Sequence, residues 1–432
     1  MSFFLYNLLL WIFSPFILLF FTYRTWKRND SLAGLSERFG FHGFESQKKY
    51  AKKLWIHAVS VGEVKIAETV IRTILNKNPE LIIYVSTVTQ TGRIEALKIL
   101  GIEKVFYLPF DFIFSVKRII KSIAPDILVI IETEIWPNLI KQTRKFGCPV
   151  FIVNARLSRR SFDRYKSFHF FFRPIFKLLS KVVARANEDA EHFSNLGVFD
   201  VTVSGDIKYD SIFYFPEHEK KCSEFPISKI SSLQNIILAG STHEGEEEIV
   251  ISSFICLQRK YPKINLIIAP RHLNRIKSIE EKIRKMNQNY ILWSSISENF
   301  SEDGQIIILD VMGELARLYS YSIFAFVGGS LIRRGGQNPI EVAVCGIPVI
   351  FGPHMYNFSQ VSNLLLDKGG AFQVENEKDL VRIMNKLISD EVLRRKVGTS
   401  AYELIKKKQG SSLFVTNLIL NSINGFEESK IE

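Results

Sequence analysis

Cysteine is scarce in this chain: Cys148, Cys222, Cys256 and Cys345 are its four copies, and no two lie close together. A C-x-x-C redox pair, a thiolate zinc site and a disulfide framework are therefore excluded, and a reducing compartment fits. None of the eight histidines has a partner at ligand spacing, so no metal is expected. Only 24 Gly and 14 Pro occur in 432 residues, and 47% of the chain is hydrophobic, which rules out collagen-like, low-complexity and disordered classes. The chain has neither G-x-G-x-x-G nor G-x-x-x-x-G-K-[ST], which speaks against a Rossmann dehydrogenase and a P-loop NTPase. Beyond residue 24, no stretch reaches the ~18 uncharged apolar residues of a membrane span.

Acid is also in short supply. Lys and Arg number 56 against 44 Asp and Glu, a net charge of +12. Such an excess suits an acidic partner: nucleic acid, an anionic membrane surface or a phosphorylated substrate. Ser2–Tyr23 carries no charge and is crowded with Phe, Leu, Ile and Trp. At ~1.5 Å per residue it is long enough for a ~30 Å hydrocarbon layer. Pro15 kinks any helix there, which leaves shallow insertion open beside a full crossing. A cleavable signal would begin with basic residues and end at small ones, and neither is present. Arg24, Lys27 and Arg28 follow at once, so residues 1–24 read as an anchor whose body stays cytoplasmic.

A length of 432 residues favours two domains. After the anchor, short Ile/Val/Leu runs alternate with amphipathic stretches. Strands are expected at 54–59, 81–88, 105–108, 127–131, 150–153, 182–184 and 201–203. They resume at 236–239, 266–269, 291–293, 306–309, 324–327 and 348–351. Continuous apolar strands separated by helices predict an α/β fold of parallel sheets. The expected layout is two doubly wound domains, 25–215 and 232–425, joined by a charged, Pro-containing linker at 216–231. The last helix is a candidate to pack back on the first domain. Ligands would bind at the carboxyl ends of strands, facing an interdomain cleft.

Several strand ends carry polar residues. Ser60 and Glu63 have capping-box spacing after the first strand; Glu63 is equally a candidate general base, and the two roles are compatible. His57 reads as a core residue with one hydrogen bond. Glu132 and Glu134 follow an all-apolar strand and would share a face if the strand continued. Arg156–Arg185 holds nine Lys/Arg and a single acid, Asp163, with Phe and Tyr interleaved. On a tethered chain, such a segment suits anionic headgroups better than RNA; a helix with its Phe face buried is the plainer alternative. Lys208, in Gly205–Asp210, is a candidate cation for a phosphate or carboxylate. In the second half, Ser241 and Glu244 again have capping-box spacing, with His243 between them. Arg271 follows a strand at Pro270, a position suited to gripping phosphate. Gly328, Gly329, Gly335 and Gly336 lead into Asn338, Pro339, Ile340 and Glu341, which read as a helix start able to bind an anion.

The stretches 55–63, 131–138, 154–160, 205–210, 240–247, 268–272 and 327–354, with Ser36–Gly40, resemble the lipid A Kdo (3-deoxy-D-manno-octulosonic acid) transferase family. The resemblance covers essentially the whole chain in order. It implies a membrane-anchored GT-B glycosyltransferase that moves Kdo, with inversion, from CMP-Kdo to the lipid A precursor in lipopolysaccharide synthesis at the inner membrane. It further implies Glu63 as general base, and Glu132 and Lys208 as transition-state support. CMP would be held by Pro270, Arg271, Met312, Gly313, Glu314 and Asn338, Pro339, Ile340, Glu341. Arg156, Arg159, Arg160, Arg164 and Lys166 would face the acceptor and the membrane. No cofactor, metal or nucleic acid is implied. Gln337 stands where many relatives have His.

Overall fold

The computed structural model describes residues 2–27, 34–42, 51–101, 104–210, 233, 235–296 and 304–428. The chain divides into two units, residues 1–214 with 409–432, and residues 215–408. The linker expected at 216–231 lies outside the described residues.

The first unit is built on seven parallel strands: β1 (Lys53–His57), β2 (Ile82–Thr87), β3 (Val105–Tyr107), β4 (Ile127–Ile131), β5 (Val150–Ala155), β6 (Lys181–Ala184) and β7 (Val201–Val203). Their order is β3-β2-β1-β4-β5-β6-β7. Every residue of β4 is fully buried, as expected for a strand covered by helices on both faces. The second unit repeats the plan with β8 (Ile236–Thr242), β9 (Asn265–Pro270), β10 (Ile291–Leu292), β11 (Ile306–Ile308), β12 (Ser322–Val327), β13 (Val349–Phe351) and β14 (Ala371–Gln373), ordered β10-β11-β9-β8-β12-β13-β14. Sequence reading missed β14, whose three residues are too short and too polar to stand out.

Strand order reverses between β1 and β4, and again between β8 and β12. In doubly wound sheets ligands bind at such switch points, outside the carboxyl ends of the strands. The chain leaves β1 toward Glu63, β4 toward Glu132, β8 toward His243 and β12 toward Gly328. The polar motifs therefore fall where the topology makes room for a ligand in each unit.

Helices α1 (Ser2–Lys27), α2 (Gly34–Arg38), α3 (Val61–Lys77), α4 (Gln90–Leu100), α5 (Ile113–Ile123), α6 (Pro137–Lys145), α7 (Arg159–Ser167), α8 (His169–Phe176) and α9 (Asn187–Asn195) belong to the first unit. The last described helix, Ser411–Glu428, also belongs there: Val415, Ile419 and Ile423 join the core formed by Val64, Ile66 and Val70 of α3. Asp210 fixes its start by accepting from Gly410 N–H at 2.8 Å and Ser412 N–H at 2.5 Å.

Among the described residues, no helix is long and apolar enough to cross a membrane. Helix α1 instead docks along one side of the unit. Tyr6 donates to Asp111 (2.8 Å), Asn138 donates to Asn7 (2.7 Å), and the Trp11 ring lies 5.4 Å from Phe112. Phe4, Phe16 and Leu19 point outward, 75%, 69% and 73% exposed.

Candidate active site

At the mouth of the first sheet, Glu63 sits in the first turn of α3 and accepts from Ser60 N–H at 2.8 Å, closing the expected capping box. Burial pushes its carboxyl above the ordinary range, and the Glu132 charge adds to this; the Ser60 N–H and Lys208 oppose it. Glu63 is thus both a helix cap and a carboxylate whose proton is held more tightly than usual by burial.

Glu132 is the first residue after β4. Its φ of 60° is left-handed, a conformation that costs a residue with a Cβ about 1–2 kcal/mol. Because β4 stops at Ile131, Glu132 and Glu134 are not placed on one face by strand alternation. They remain electrostatic neighbours: burial, then the charges of Glu63 and Glu132, push Glu134 up to about 7. Lys208 answers this cluster, with Nζ 3.9 Å from Glu132 Oε1. It lies in a one-turn 3₁₀ helix, Ile207–Tyr209, whose N-cap Asp206 accepts from Lys208 N–H at 3.0 Å. Three carboxylates and one ammonium thus share a mouth ringed by buried strands, an arrangement that can take up a proton and balance developing charge.

Arg156, Arg159, Arg160, Arg164 and Lys166 are all solvent-exposed. The Arg156–Arg185 stretch is two short helices and a strand, and most of its aromatics pack inward. Phe162, Ile175 and Phe176 are buried and Phe171 and Phe172 lie against the core, whereas Phe168 and Phe170 are exposed. The plainer alternative, a buried Phe face under solvated charges, describes most of the segment. His57 is a buried core residue whose Nδ1 lies 3.0 Å from Ser86 Oγ; burial holds its pKa down to about 4.

In the second unit, the turn after β8 and the turn after β12 are locked together by a residue that sequence reading passed over. Glu246 is fully buried and accepts N–H bonds from His243 (3.0 Å), Gly329 (2.6 Å), Ser330 (2.9 Å) and Leu331 (2.9 Å). Gly328 must be glycine: a Cβ there would stand 2.3 Å from the Ser241 carbonyl oxygen. The capping box expected from Ser241 and Glu244 does not form. Gly245, at φ 92°, shifts the helix start to Glu246, and Glu244 pairs outward with Arg275 at 3.1 Å. The run Glu244–Glu248 hid which carboxylate does the holding.

Arg271 is exposed directly after buried Pro270, and its N–H donates to the Thr242 carbonyl at 2.9 Å. His243 meets Gln337 (Nε2 to Nε2, 3.3 Å) and lies 5.9 Å from the His272 ring; burial, then the His272 charge, holds its pKa down. Met312 is exposed, Gly313 adopts φ 97°, and Glu314 accepts from Arg317 at 3.2 Å. Asn338 accepts from Ile340 N–H at 3.2 Å and donates to Glu341 at 3.2 Å, with Pro339 and Ile340 buried. The helix they open spans only Ile340–Ala343, so its dipole is weaker than expected of a long helix. Among the described residues, no group of three His, Cys, Asp or Glu side chains could hold a metal ion.

Two doubly wound parallel-sheet domains in one chain make up the GT-B fold. The fold is shared, at 16% identity and a TM-score of 0.53, with a glycosyltransferase from Rickettsia africae ESF-5, over 87% of this chain and 99% of that one. A UDP-N-acetylglucosamine 2-epimerase described as putative, from Listeria monocytogenes, shares it too, at 14% identity and a TM-score of 0.56, over 88% and 97% of the two chains. Residues 33–211 match the family model described as 3-deoxy-D-manno-octulosonic-acid transferase (kdotransferase). The 3-deoxy-D-manno-octulosonic acid transferase of Haemophilus influenzae is 34% identical over 94% of this chain and 96% of its own length. The chain belongs to this transferase family and is a glycosyltransferase that transfers Kdo.

Proposed function

We propose that the chain transfers Kdo from CMP-Kdo to the lipid A precursor, with Glu63 as general base. The observation that carries this reading is the tuned carboxylate at the β1–β4 switch point, beside Glu132 and Lys208. An acceptor hydroxyl oxygen attacks C2 of Kdo and its proton passes to the Glu63 carboxylate. The bond from C2 to the phosphate oxygen breaks, and CMP leaves with the electron pair, inverting C2. Lys208 and Glu132 balance charge as it shifts. In the second unit, Arg271 would grip the CMP phosphate, while Met312, Gly313, Glu314 and Asn338–Glu341 would contact the rest of the nucleotide. The cationic groups of the chain supply the charge the leaving group needs, so the scheme uses no cofactor.

A fold also found in an epimerase does not by itself choose the nucleotide. CMP should raise the melting temperature of the purified protein and UDP should not; stabilisation by UDP alone would exclude the proposed donor.

The same reading places the chain at the cytoplasmic face of the inner membrane as a monotopic protein. Since the first turns of α1 are bonded to Asp111 and Asn138, that part of the helix stays with the globular body. Its outward Phe4, Phe16 and Leu19 would enter the interface beside Arg159, Arg160, Arg164 and Lys166, which suit lipid phosphates. Arg156 would face the acceptor. Nucleic acid has no place in this scheme.

A further inference from the structure

Asn154 lies where β5 ends, and three features of its geometry have no role in holding the sheet together. Its φ is 52°, left-handed like that of Glu132 at the end of neighbouring β4. The pairing of β5 with β6 slips there, between Val153 and Ala155, so Asn154 is the extra residue of a bulge. It is 1% exposed, yet its side chain turns away from the strand: Oδ1 accepts from Ile207 N–H at 3.0 Å, the first residue of the turn that carries Lys208. Its Nδ2 is buried and has no partner among the described residues. The last ladder bond before both strands turn, Glu132 N–H to the Val153 carbonyl at 2.9 Å, joins left-handed Glu132 to the residue just before Asn154.

A left-handed residue with a Cβ, at a bulge, with a buried donor unsatisfied, is unfavourable for folding on each count. Such features persist where they aim a group. Here the group aimed is the Ile207–Tyr209 turn, fixed at its other end by Asp210 holding Gly410 and Ser412.

We propose that Asn154 is a positioning residue for transfer: it sets the Lys208 turn so that the ammonium faces Glu132, and it does so at a cost in backbone strain. The inference rests on the assignment of Lys208 and Glu132 to the reaction. The charge of Lys208 also favours ionised Glu63, so a displaced Lys208 should be felt in the pH dependence of the rate.

The experiment compares Asn154→Gly, Asn154→Asp and Lys208→Met in the full-length protein. Glycine accepts φ 52° freely but removes the acceptor of Ile207 N–H; aspartate keeps an oxygen there. Asn154→Gly should melt at or above the parent temperature while kcat falls roughly tenfold or more. Stabilisation by CMP should be unchanged. Its acid limb in the pH profile of kcat should move to higher pH, as in Lys208→Met. Asn154→Asp should recover at least part of the lost rate. Parental kcat and pH profile in Asn154→Gly, while Lys208→Met is impaired, would overturn the positioning role. So would an Asn154→Asp variant no better than glycine. Parental activity of Lys208→Met would instead refute the assignment of Lys208. Should the glycine variant fail to fold, the pH profile of Asn154→Asp decides: a limb at the parental pH supports the positioning oxygen, and a limb coinciding with that of Lys208→Met contradicts it.

Discussion

Glu134 shows how strongly the mouth of the first sheet reshapes a single group. Burial and the Glu63 charge move its carboxyl from 4.5 to about 7. A carboxyl raised in the folded state contributes stability fully present below its unfolded value, and that stability is lost as pH rises through the folded one. The window is therefore about pH 4.5 to about 7. Glu134→Gln removes the charge, so its melting advantage over the parent should be near zero at about pH 5 and grow toward about pH 8. With solvent screening the gain is about 1 kcal/mol, or about 2–4 °C. A constant difference across that range, followed by differential scanning fluorimetry, would mean that Glu134 is not held neutral. At this scale the sequence was legible for Glu63 and Lys208, whose positions after strands follow from pattern alone. It was not legible for Asp111, bonded to Tyr6 across 105 positions, because no local pattern records such a contact.

Elements were read well where burial is uniform and poorly where a turn decides. β4 falls on the expected residues, because an unbroken, fully buried apolar run between helices leaves little choice; the short Val-Thr-Val edge strand β7 does so too, although it is only partly buried. The helix expected to open behind a Ser241 cap begins at Glu246 instead, because left-handed Gly245 precedes it. The helix after Asn338 ends within one turn, with Gly346 at φ 70° and Pro348 close behind. Helix α1 is the element whose role is most open to direct measurement. Its outward apolar residues should carry the chain to bilayers, so the protein should float with vesicles containing anionic lipid. Replacing Phe4, Phe16 and Leu19 together by Glu should abolish flotation, and high salt should weaken it by screening the basic residues. Flotation of the triple variant equal to the parent would remove α1 as the membrane contact. Since these residues face away from Asp111, the melting temperature should stay within about 2 °C of the parent.

At the scale of the whole molecule, the two sheets share one construction. Each reverses strand order at a central pair, and each presents there a carboxylate that organises backbone: Glu63 on Ser60 in the first unit, Glu246 on four N–H groups in the second. Their surroundings separate the roles. Glu63 stays partly exposed beside Lys208 and Glu132, as the proposed general base must be, whereas Glu246 is fully buried and shapes the loop. The alternation of strands and helices announced both domains. That a likeness of fold extends to an epimerase shows why architecture alone could not name the reaction; family membership did. The central claim is that Glu63 takes the acceptor's proton. It is tested most directly by following transfer of labelled Kdo from CMP-Kdo to the lipid A precursor by the parent and by Glu63→Gln, with products resolved by mass. The account predicts product from the parent, a loss of about 10³-fold or more in the variant, and undiminished stabilisation of that variant by CMP. Transfer by Glu63→Gln at a rate near the parent's would contradict it.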